Sequence, residues 1–353
     1  MDYIKISGYK SIKESKIDLK PINILIGANG SGKSNFISFF EFLNNLCNRK
    51  LKEYISLGVG EDKILFKGSK ETSEISFEAG FGNGVNGYSA TVQLGGEGFI
   101  FISEHLIYRG NLGWDIAKFS NEANLKTTSD YRAKYVIRYL NGFRKYHFHD
   151  TSKNSPFTKI SNTDNDSFYL YEDGRNLAAF LYDVNKEHKI VYNRIIKTIQ
   201  SIAPYFSDFY FQPNAEGNIR LQWQDKYSST VYGANNFSDG TMRFIALATL
   251  FLQPVLPDTI IIDEPELGLH PFAITKLAGM IKSVASRGTQ VIVATQSADL
   301  VNHFEADDIV TVDQIDGESQ FYRLKEDDLK EWLDDYSIGD LWQRNIIQGG
   351  QPK

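Results

Sequence analysis

The sequence has little cysteine and no long apolar run. Only one of its 353 residues is a cysteine, Cys47, which excludes a disulfide framework and a multi-cysteine zinc site and favours a reducing compartment. The longest apolar stretch, residues 244–256, is too short to span a bilayer and contains Gln253 and Pro254. Residues 1–6 do not form the uninterrupted apolar segment of a secretory signal. We therefore expect a cytoplasmic protein with no membrane partner.

Positive charge is also scarce relative to negative charge. The 38 lysines and arginines against 44 aspartates and glutamates give a formal net charge of −6. This balance excludes a protein that coats nucleic acid through its overall charge, so any contact with DNA requires a local basic patch. No internal repeat and no sustained heptad pattern is present, which excludes a long coiled-coil arm.

What is present is enough apolar and aromatic side chain, 42% and 13% of residues, to build a large core. Apolar segments predict strands at 3–6 and 22–26, a helix from Lys33 to about Cys47, and an antiparallel meander over 51–110. Helical periodicity covers 130–146 and 176–203. In the last third we expect helix 240–253, strand 259–263, a helix after Pro271, strand 290–294, a short helix at 298–304 and strand 309–312. Apolar strands that alternate with helices predict an α/β fold with a parallel sheet covered on both faces.

The strongest motif is a complete G-x-x-x-x-G-K-S phosphate loop over residues 27–34. It follows the strand at 22–26 and begins a helix, which is the context that this motif needs. Lys33 is predicted to reach the β- and γ-phosphates of ATP, and the Ser34 hydroxyl to ligate Mg²⁺. The remaining predicted cofactor-binding residues of the loop are Asn29, Gly30, Ser31 and Gly32.

A second motif places two acids at the end of an apolar strand, residues 260–265. The carboxyl ends of strands in open α/β sheets are where ligands bind. We expect Asp263 to hold Mg²⁺ and Glu264 to act as the general base that polarises the attacking water.

Three further segments are informative because of their order along the chain. Residues 236–241, about 25 residues before the acidic strand, resemble the signature loop of ABC-type ATPases, with Ser238 and Gly240 in the phosphate-contacting positions. Residues 266–271 and 294–297 resemble the D-loop and the switch of that class. Gln296 stands where transport-type ABC proteins usually have histidine. A Q-loop is not evident, and the segment around His147, His149 and Asp150 is the candidate for its role.

Taken together, these motifs make the chain similar to the standalone RecF/OLD-like ATPases of the ABC class, which are often grouped with AAA proteins. Residues 6–12 and 333–342 also fit that family, whereas 51–235 match only loosely. The resemblance implies an α/β fold: an ABC-type P-loop NTPase head with a mixed sheet, an antiparallel β-subdomain and a helical insertion. The expected domains are an ATP-binding core (1–50 and 236–322), a strand-rich subdomain (51–129), a helical or mixed insertion (130–235) and a C-terminal helical tail on the core (323–353).

The resemblance also implies a mechanism. Two chains form a head-to-tail homodimer around ATP, in which Ser238 of one chain caps the γ-phosphate that Lys33 of the other binds. Lys33, Glu264 and Gln296 are the implied catalytic residues. ATP binding and hydrolysis then form a two-state switch, acting in DNA repair or in defence against phages and other mobile elements.

Two alternatives stay open. In one, ATP only gates assembly with a separate nuclease or toxin, and the chain turns over little by itself. In the other, the phosphate loop belongs to a small-molecule kinase or a GTPase; the only near match to a guanine-specificity motif, residues 185–188, lacks its aspartate.

Weaker features have both a structural and a functional interpretation. Tyr131, Tyr135 and Tyr139 share a helical face, and Arg132, Arg138, Arg144 and Lys145 lie nearby in sequence. Aromatic rings beside cations can bind nucleic acid, but an apolar stripe at this spacing more often packs in a core. His270, just before Pro271, is expected to cap a helix rather than to catalyse. The aspartates near the C-terminus are expected on a helix surface rather than in a nuclease site.

Overall fold

The computed structural model describes residues 1–56, 60–96, 98–117 and 119–350. The strands are β1 (Tyr3–Tyr9), β2 (Ile12–Asp18), β3 (Ile22–Ile26), β4 (Glu74–Phe81), β5 (Asn86–Gly95), β6 (Gly98–Tyr108), β7 (Asn111–Asp115), β8 (Phe143–Tyr146), β9 (Ser161–Asn162), β10 (Phe206–Phe209), β11 (Asn218–Ile219), β12 (Gln222–Asp225), β13 (Val231–Gly233), β14 (Thr259–Asp263), β15 (Gln290–Thr295), β16 (Ile309–Ile315) and β17 (Glu318–Arg323).

The helices are α1 (Lys33–Cys47), α2 (Leu51–Tyr54), α3 (Glu61–Ile64), α4 (Ala133–Asn141), α5 (Leu177–Glu187), α6 (Lys189–Gln200), α7 (Asp239–Leu252), α8 (Pro271–Ser286), α9 (Ala298–Val301), α10 (Glu326–Leu333) and α11 (Ile338–Gln343). Within the described ranges, no helix is both long and apolar enough to cross a membrane.

The chain divides into two compact units. Unit 1 comprises residues 1–143 and 290–353, and unit 2 comprises residues 144–289. The two ends of the chain thus belong to one unit, and the middle of the chain forms the other.

Unit 1 contains an antiparallel sheet and a set of mixed strands. The antiparallel sheet has the order β2-β1-β4-β5-β6-β7, which confirms the meander predicted for the glycine-rich region. Two short helices, α2 and α3, lie in the chain before strand β4 of this sheet and were not predicted. In the second layer, β3 pairs in parallel with both β15 and β16, and β17 pairs antiparallel with β16. The predicted α/β class with a mixed sheet and an antiparallel sheet is confirmed.

Helix α1 forms the core between these two layers of unit 1. Its Phe39 ring lies 5.8 Å from the ring of Phe77 in the antiparallel sheet. One turn earlier, Phe36 lies 5.4 Å from the ring of Phe321 in β17. Both phenylalanines are fully buried, so the helix that follows the phosphate loop is fixed from both sides by aromatic packing.

Unit 2 is built around the apolar helix α7, which packs against α6 and α8. A small sheet with the order β10-β12-β13 lies in the same unit. At its centre the ring of Trp223 stacks on Phe237 at a centroid distance of 4.4 Å and an interplanar angle of 17°. This stack fixes the backbone immediately before Ser238.

Two helical predictions differ from the structure. Residues 130–146 do not form one helix, because α4 ends before Gly142 and the chain continues as β8. Glycine is a common residue at helix ends since it loses the most conformational freedom in a helix. The segment 176–203 is split into α5 and α6 at His188, whose φ of −132° is not helical.

Candidate nucleotide site

The phosphate loop connects β3 to α1 within unit 1. The backbone turns through Gly30 and Gly32, whose φ angles are 81° and 113°. These positive values are readily adopted only by glycine. Lys33 and Ser34 are the first two residues of α1, so the loop delivers its N–H groups to the start of a 15-residue helix, which is a favourable place for an anion.

Two serines outside the motif hold the loop in shape. The Ser319 hydroxyl in β17 donates to the Ser31 carbonyl oxygen at 2.7 Å and also hydrogen-bonds the Ser11 hydroxyl at 2.7 Å. A Cβ on Gly32 would collide with Ser319, so the second glycine is needed for this close approach as well as for its φ. The sequence analysis missed Ser319, since it lies almost 300 residues away from the loop along the chain.

The groups inside the loop fit a phosphate ligand. The Lys33 side chain is only 5% exposed, and its ammonium donates to the carbonyl oxygens of Gly27 at 2.7 Å and Ala28 at 3.0 Å. The Ser31 hydroxyl is buried and has no hydrogen-bond partner in the described part of the chain. A buried hydroxyl in this condition costs free energy unless a ligand satisfies it. Ser34 is exposed, and a serine hydroxyl is a suitable oxygen ligand for Mg²⁺.

Gln296 follows β15 directly and lies near the phosphate loop. It lines a cavity of about 220 Å³ together with Gly27 and Ala28. The next residue, Ser297, caps α9: its hydroxyl accepts from the Leu300 N–H at 3.2 Å. Unit 1 therefore brings together the loop residues and Gln296, two parts of the predicted site.

The two predicted acids lie in unit 2 at the end of β14. The strand is buried up to Ile262, and Asp263 and Glu264 are half-buried. Glu264 has a φ of 42°, a left-handed conformation that is uncommon for a residue other than glycine and is unfavourable immediately before a proline. Strained backbone of this kind clusters at functional sites. A carboxylate at Asp263 suits Mg²⁺, which prefers oxygen ligands.

The signature-like segment begins α7 with an exposed serine. The Ser238 hydroxyl accepts from the Thr241 N–H at 3.3 Å and so caps this 14-residue helix. Gly240 lies so close to the backbone that a Cβ there would collide with the Gly268 carbonyl oxygen. The signature-like loop and the D-loop-like turn of unit 2 are thus in direct contact.

Arg243 joins three backbone segments of unit 2, and sequence reasoning did not single it out. Its side chain is 6% exposed. The Nε atom donates to the Phe148 carbonyl oxygen at 3.0 Å, and Nη2 donates to that of His149 at 3.0 Å. Nη1 donates to the Leu267 carbonyl oxygen in the D-loop-like turn. Burial lowers the pKa of the Arg243 guanidinium, while Asp239 and Glu266 raise it; the only sequence signal is a charged residue inside an otherwise apolar helix.

The segment proposed in place of a Q-loop lies close to the acidic strand. The His147 and His149 rings meet edge to face with centroids 4.5 Å apart. Burial, followed by the neighbouring His149 and Lys145, lowers the pKa of His147, and the Asp263 carboxylate acts in the opposite direction. His147 is therefore within electrostatic range of the predicted magnesium ligand.

The weaker candidates have mixed outcomes. The His270 Nδ1 atom accepts from the Phe272 N–H at 3.2 Å and caps α8, as expected. The Tyr139 ring is packed against Phe81, whereas Tyr131 and Tyr135 are exposed with the Lys134 ammonium over both rings. Residues 185–187 end helix α5, which is not the loop expected of a guanine-specificity motif. The aspartates at 327, 328, 334 and 335 are exposed on or beside α10.

Solved structures similar to this chain are heads of SMC proteins. One is the SMC head bound to the C-terminal winged-helix domain of ScpA, with a TM-score of 0.63 and 16% identity over 94% of this chain and 99% of that one. Another is the Pyrococcus furiosus SMC head with an extended coiled coil bound to the C-terminal domain of ScpA: TM-score 0.55, 16% identity, 95% and 98% covered. The Thermotoga maritima SMC head has a TM-score of 0.50 and 13% identity, with 92% and 98% covered. At these identities the likeness shows the fold, an α/β P-loop head.

Sequence comparison gives the family. None of the curated proteins matches the chain. Residues 22–302 match the family described as "AAA domain, putative AbiEii toxin, Type IV TA system". This range includes the phosphate loop, the signature-like loop and the acidic strand, and it confirms the resemblance inferred from those motifs. The chain therefore belongs to this AAA-domain family of ATP-binding P-loop proteins.

Proposed function

We propose that this chain hydrolyses ATP with Mg²⁺ and that two copies act together as an ATP-dependent switch. The observation that carries the proposal is the phosphate loop: a left-handed turn buttressed by Ser319, a buried Lys33 ammonium and an unsatisfied Ser31 hydroxyl. All three features are explained by a bound triphosphate, which would replace the two carbonyl oxygens as the partner of Lys33.

The acids supply the chemistry of hydrolysis in this proposal. A bound Mg²⁺ would neutralise charge on the phosphates, with Ser34 and Asp263 as its protein ligands. Glu264 accepts a proton from the attacking water, and its left-handed backbone supports a functional reason for the strain. Gln296 acts at the terminal phosphate.

The dimer is supported by Ser238. Ser238 and Asp239 are exposed at the start of a 14-residue helix, and the N-terminus of such a helix favours an anion. A second copy that brings its own Lys33-bound triphosphate to this helix would complete the site. Because the contact between Ser238 and the triphosphate forms only in the dimer, ATP binding favours association and hydrolysis reverses it.

The switch is proposed to act in DNA repair or in defence against phages and other mobile elements, and the alternative is that it regulates a separate effector, a nuclease or toxin. The family description refers to a toxin–antitoxin system, and a similar head is bound to a winged-helix domain of another protein. In this alternative ATP gates assembly and turnover is small.

DNA could be contacted through exposed Tyr131 and Tyr135 beside Lys134.

The first test is ATP hydrolysis by purified protein. Lys33→Ala is expected to abolish ATP binding and to lower turnover by about 100-fold or more. Glu264→Gln is expected to lower turnover equally but to retain ATP, since only the proton acceptor is removed. Lys70→Ala, an exposed lysine outside the loop, is the control and should leave both quantities unchanged. Full turnover by Lys33→Ala protein, or a preference for GTP, would refute the proposal.

A further inference from the structure

The C-terminal residues 344–350, here called the strap, lie against the phosphate loop within unit 1. The indole Nε1 of Trp342 donates to the Gly349 carbonyl oxygen at 2.6 Å in a buried hydrogen bond. The Gly349 N–H donates in turn to an Asp313 carboxylate oxygen at 2.9 Å. These two hydrogen bonds fix the peptide groups on both sides of Gly349.

Gly349 allows the strap to approach the strand that leads into the loop. Its φ is 85°, and a Cβ there would lie 3.2 Å from the Ile26 carbonyl oxygen and 3.1 Å from the Thr311 Cβ. Ile26 is the last residue of β3, directly before Gly27. The strap thus lies against the carboxyl end of β3 and beside Thr311 of the neighbouring parallel strand β16, and the carboxyl ends of strands are where ligands bind in such sheets.

The strap forms one wall of two cavities that border the loop. The first, of about 220 Å³, is lined by Gly27, Ala28 and Gln296 and by Gln343 and Asn345 next to or within the strap. The second, of about 430 Å³, is lined by Ala28, Asn29 and Ser31 on one side and by strap residues on the other. Since a water molecule takes about 30 Å³, the first cavity has room for a phosphate group and a water.

The lining of the first cavity has a chemistry suited to a phosphate. Gln296, Gln343 and Asn345 are all amides. An amide NH₂ donates to phosphate oxygens, and its carbonyl oxygen accepts from water. Such a group can therefore bind a terminal phosphate and orient an attacking water without a titratable ring.

Helix α11, which leads into the strap, is bound to the segment that follows Gln296. The Gly339 N–H at the start of α11 donates to the Asn302 side-chain oxygen at 2.7 Å. A Cβ on Gly339 would lie 2.8 Å from the Ala298 carbonyl oxygen, so α11 packs directly on α9. Gln296 lies two residues before the first residue of α9. Any shift of α11 would therefore be transmitted to α9 and to Gln296.

We propose that Gln343 and Asn345 contact the terminal phosphate of ATP together with Gln296, and that Trp342 is a positioning residue that holds the strap in place. The three amides form a composite sensor of the terminal phosphate. Two of its members come from the C-terminal end of the chain, outside the family-matched residues 22–302. This inference rests on the proposed ATPase function.

The test separates turnover from binding. In the double variant Gln343→Ala/Asn345→Ala, kcat for ATP is expected to fall at least about tenfold. The Kd for a non-hydrolysable ATP analogue should change less than about threefold, since the phosphate loop is intact. Both side chains are exposed, so the variant should keep the melting temperature of the wild type. Gln320→Ala, an exposed amide on β17 away from both cavities, is the matched control.

A second variant tests the positioning role. Trp342→Phe removes the Nε1 donor to Gly349 together with part of the buried ring system, and it should lower kcat with little change in analogue binding. Trp332→Phe, a half-exposed tryptophan on α10, should have no effect. Wild-type kcat in the double variant, under conditions in which Lys33→Ala abolishes turnover, would overturn the strap inference and leave the ATPase intact. Turnover that survives Lys33→Ala would overturn both.

Discussion

At the scale of single residues, each unit contains groups that a sequence motif names and groups that only the structure identifies. Lys33 and Glu264 are evident in the sequence because their motifs depend on neighbours a few positions away. Arg243 and Ser319 are not, because their partners lie 24 and 288 residues away along the chain. A motif cannot show a hydrogen bond between distant segments, so the groups that hold the loops in shape were missed.

Arg243 is the residue whose replacement should damage unit 2 most. Arg243→Ala leaves the carbonyl oxygens of Phe148, His149 and Leu267 without this donor, and hydrogen bonds from a charged group are worth about 1.5–3 kcal/mol each. Because such losses are not additive, we expect the free energy of unfolding to fall by about 2–4 kcal/mol. Chemical denaturation monitored by circular dichroism measures this change.

Arg243→Lys provides a finer version of the same test. Lysine keeps the charge but cannot reach three carbonyl oxygens with a planar fork, so it should recover only part of the lost stability. Exposed Arg287→Ala is the control, with an expected change within about 0.5 kcal/mol. Equal stability of Arg243→Ala and wild type would show that the three contacts do not hold the loops.

At the scale of elements, local patterns predicted the secondary structure best where the pattern is complete within one segment. The bounds predicted for α1, β3 and β14 agree with the structure. The two strands are runs of apolar residues between clear breakers, and α1 has apolar residues at helical spacing after the glycines of the loop. Strand β17 and the small sheet β10-β12-β13 were not predicted. These short strands are half-buried, and their stability comes from partners such as the Trp223–Phe237 stack rather than from their own sequence.

One buried acid fixes a loop to the antiparallel sheet of unit 1. Glu104 in β6 is fully buried and accepts from the Tyr88 hydroxyl at 2.8 Å and from the N–H groups of Asn124 and Leu125 at 2.9 and 3.0 Å. Glu104→Gln places an amide NH₂ against one of these donors. We expect the free energy of unfolding to fall by about 1–3 kcal/mol, measured below pH 4.5, where the contribution of this carboxyl group is complete, with exposed Glu71→Gln as the neutral control.

Glu104 should also make the free energy of unfolding depend on pH. Burial raises the pKa of Glu104 above its ordinary value of 4.5, although the backbone N–H groups and Tyr88 act against this shift. Because the pKa is raised in the folded state, ionisation of this carboxyl group costs folding free energy. The contribution of Glu104 to the free energy of unfolding is therefore fully present below pH 4.5 and is lost as the pH rises through the raised pKa. Glu104→Gln should lack this component. An unchanged pH profile in the variant would contradict the account of this carboxyl group.

At the scale of the whole molecule, the sequence predicted the fold class because the phosphate loop, signature-like loop and acidic strand occur in a fixed order. The composition and periodicity of residues 51–235 did not show which strands pair, since sheet order depends on contacts between distant segments. The central proposal for the whole molecule is that two copies complete one another's ATP site.

The most direct test of that claim is the mass of the Glu264→Gln protein in solution, measured by sedimentation velocity with and without Mg²⁺ and ATP. We expect a 40.1 kDa monomer without nucleotide and a species of twice that mass with ATP. Adding Ser238→Arg to the same protein should keep it monomeric while ATP stays bound, because the arginine fills the exposed cap of α7. A Glu264→Gln protein that binds one ATP per chain and remains a monomer at every concentration would contradict the account.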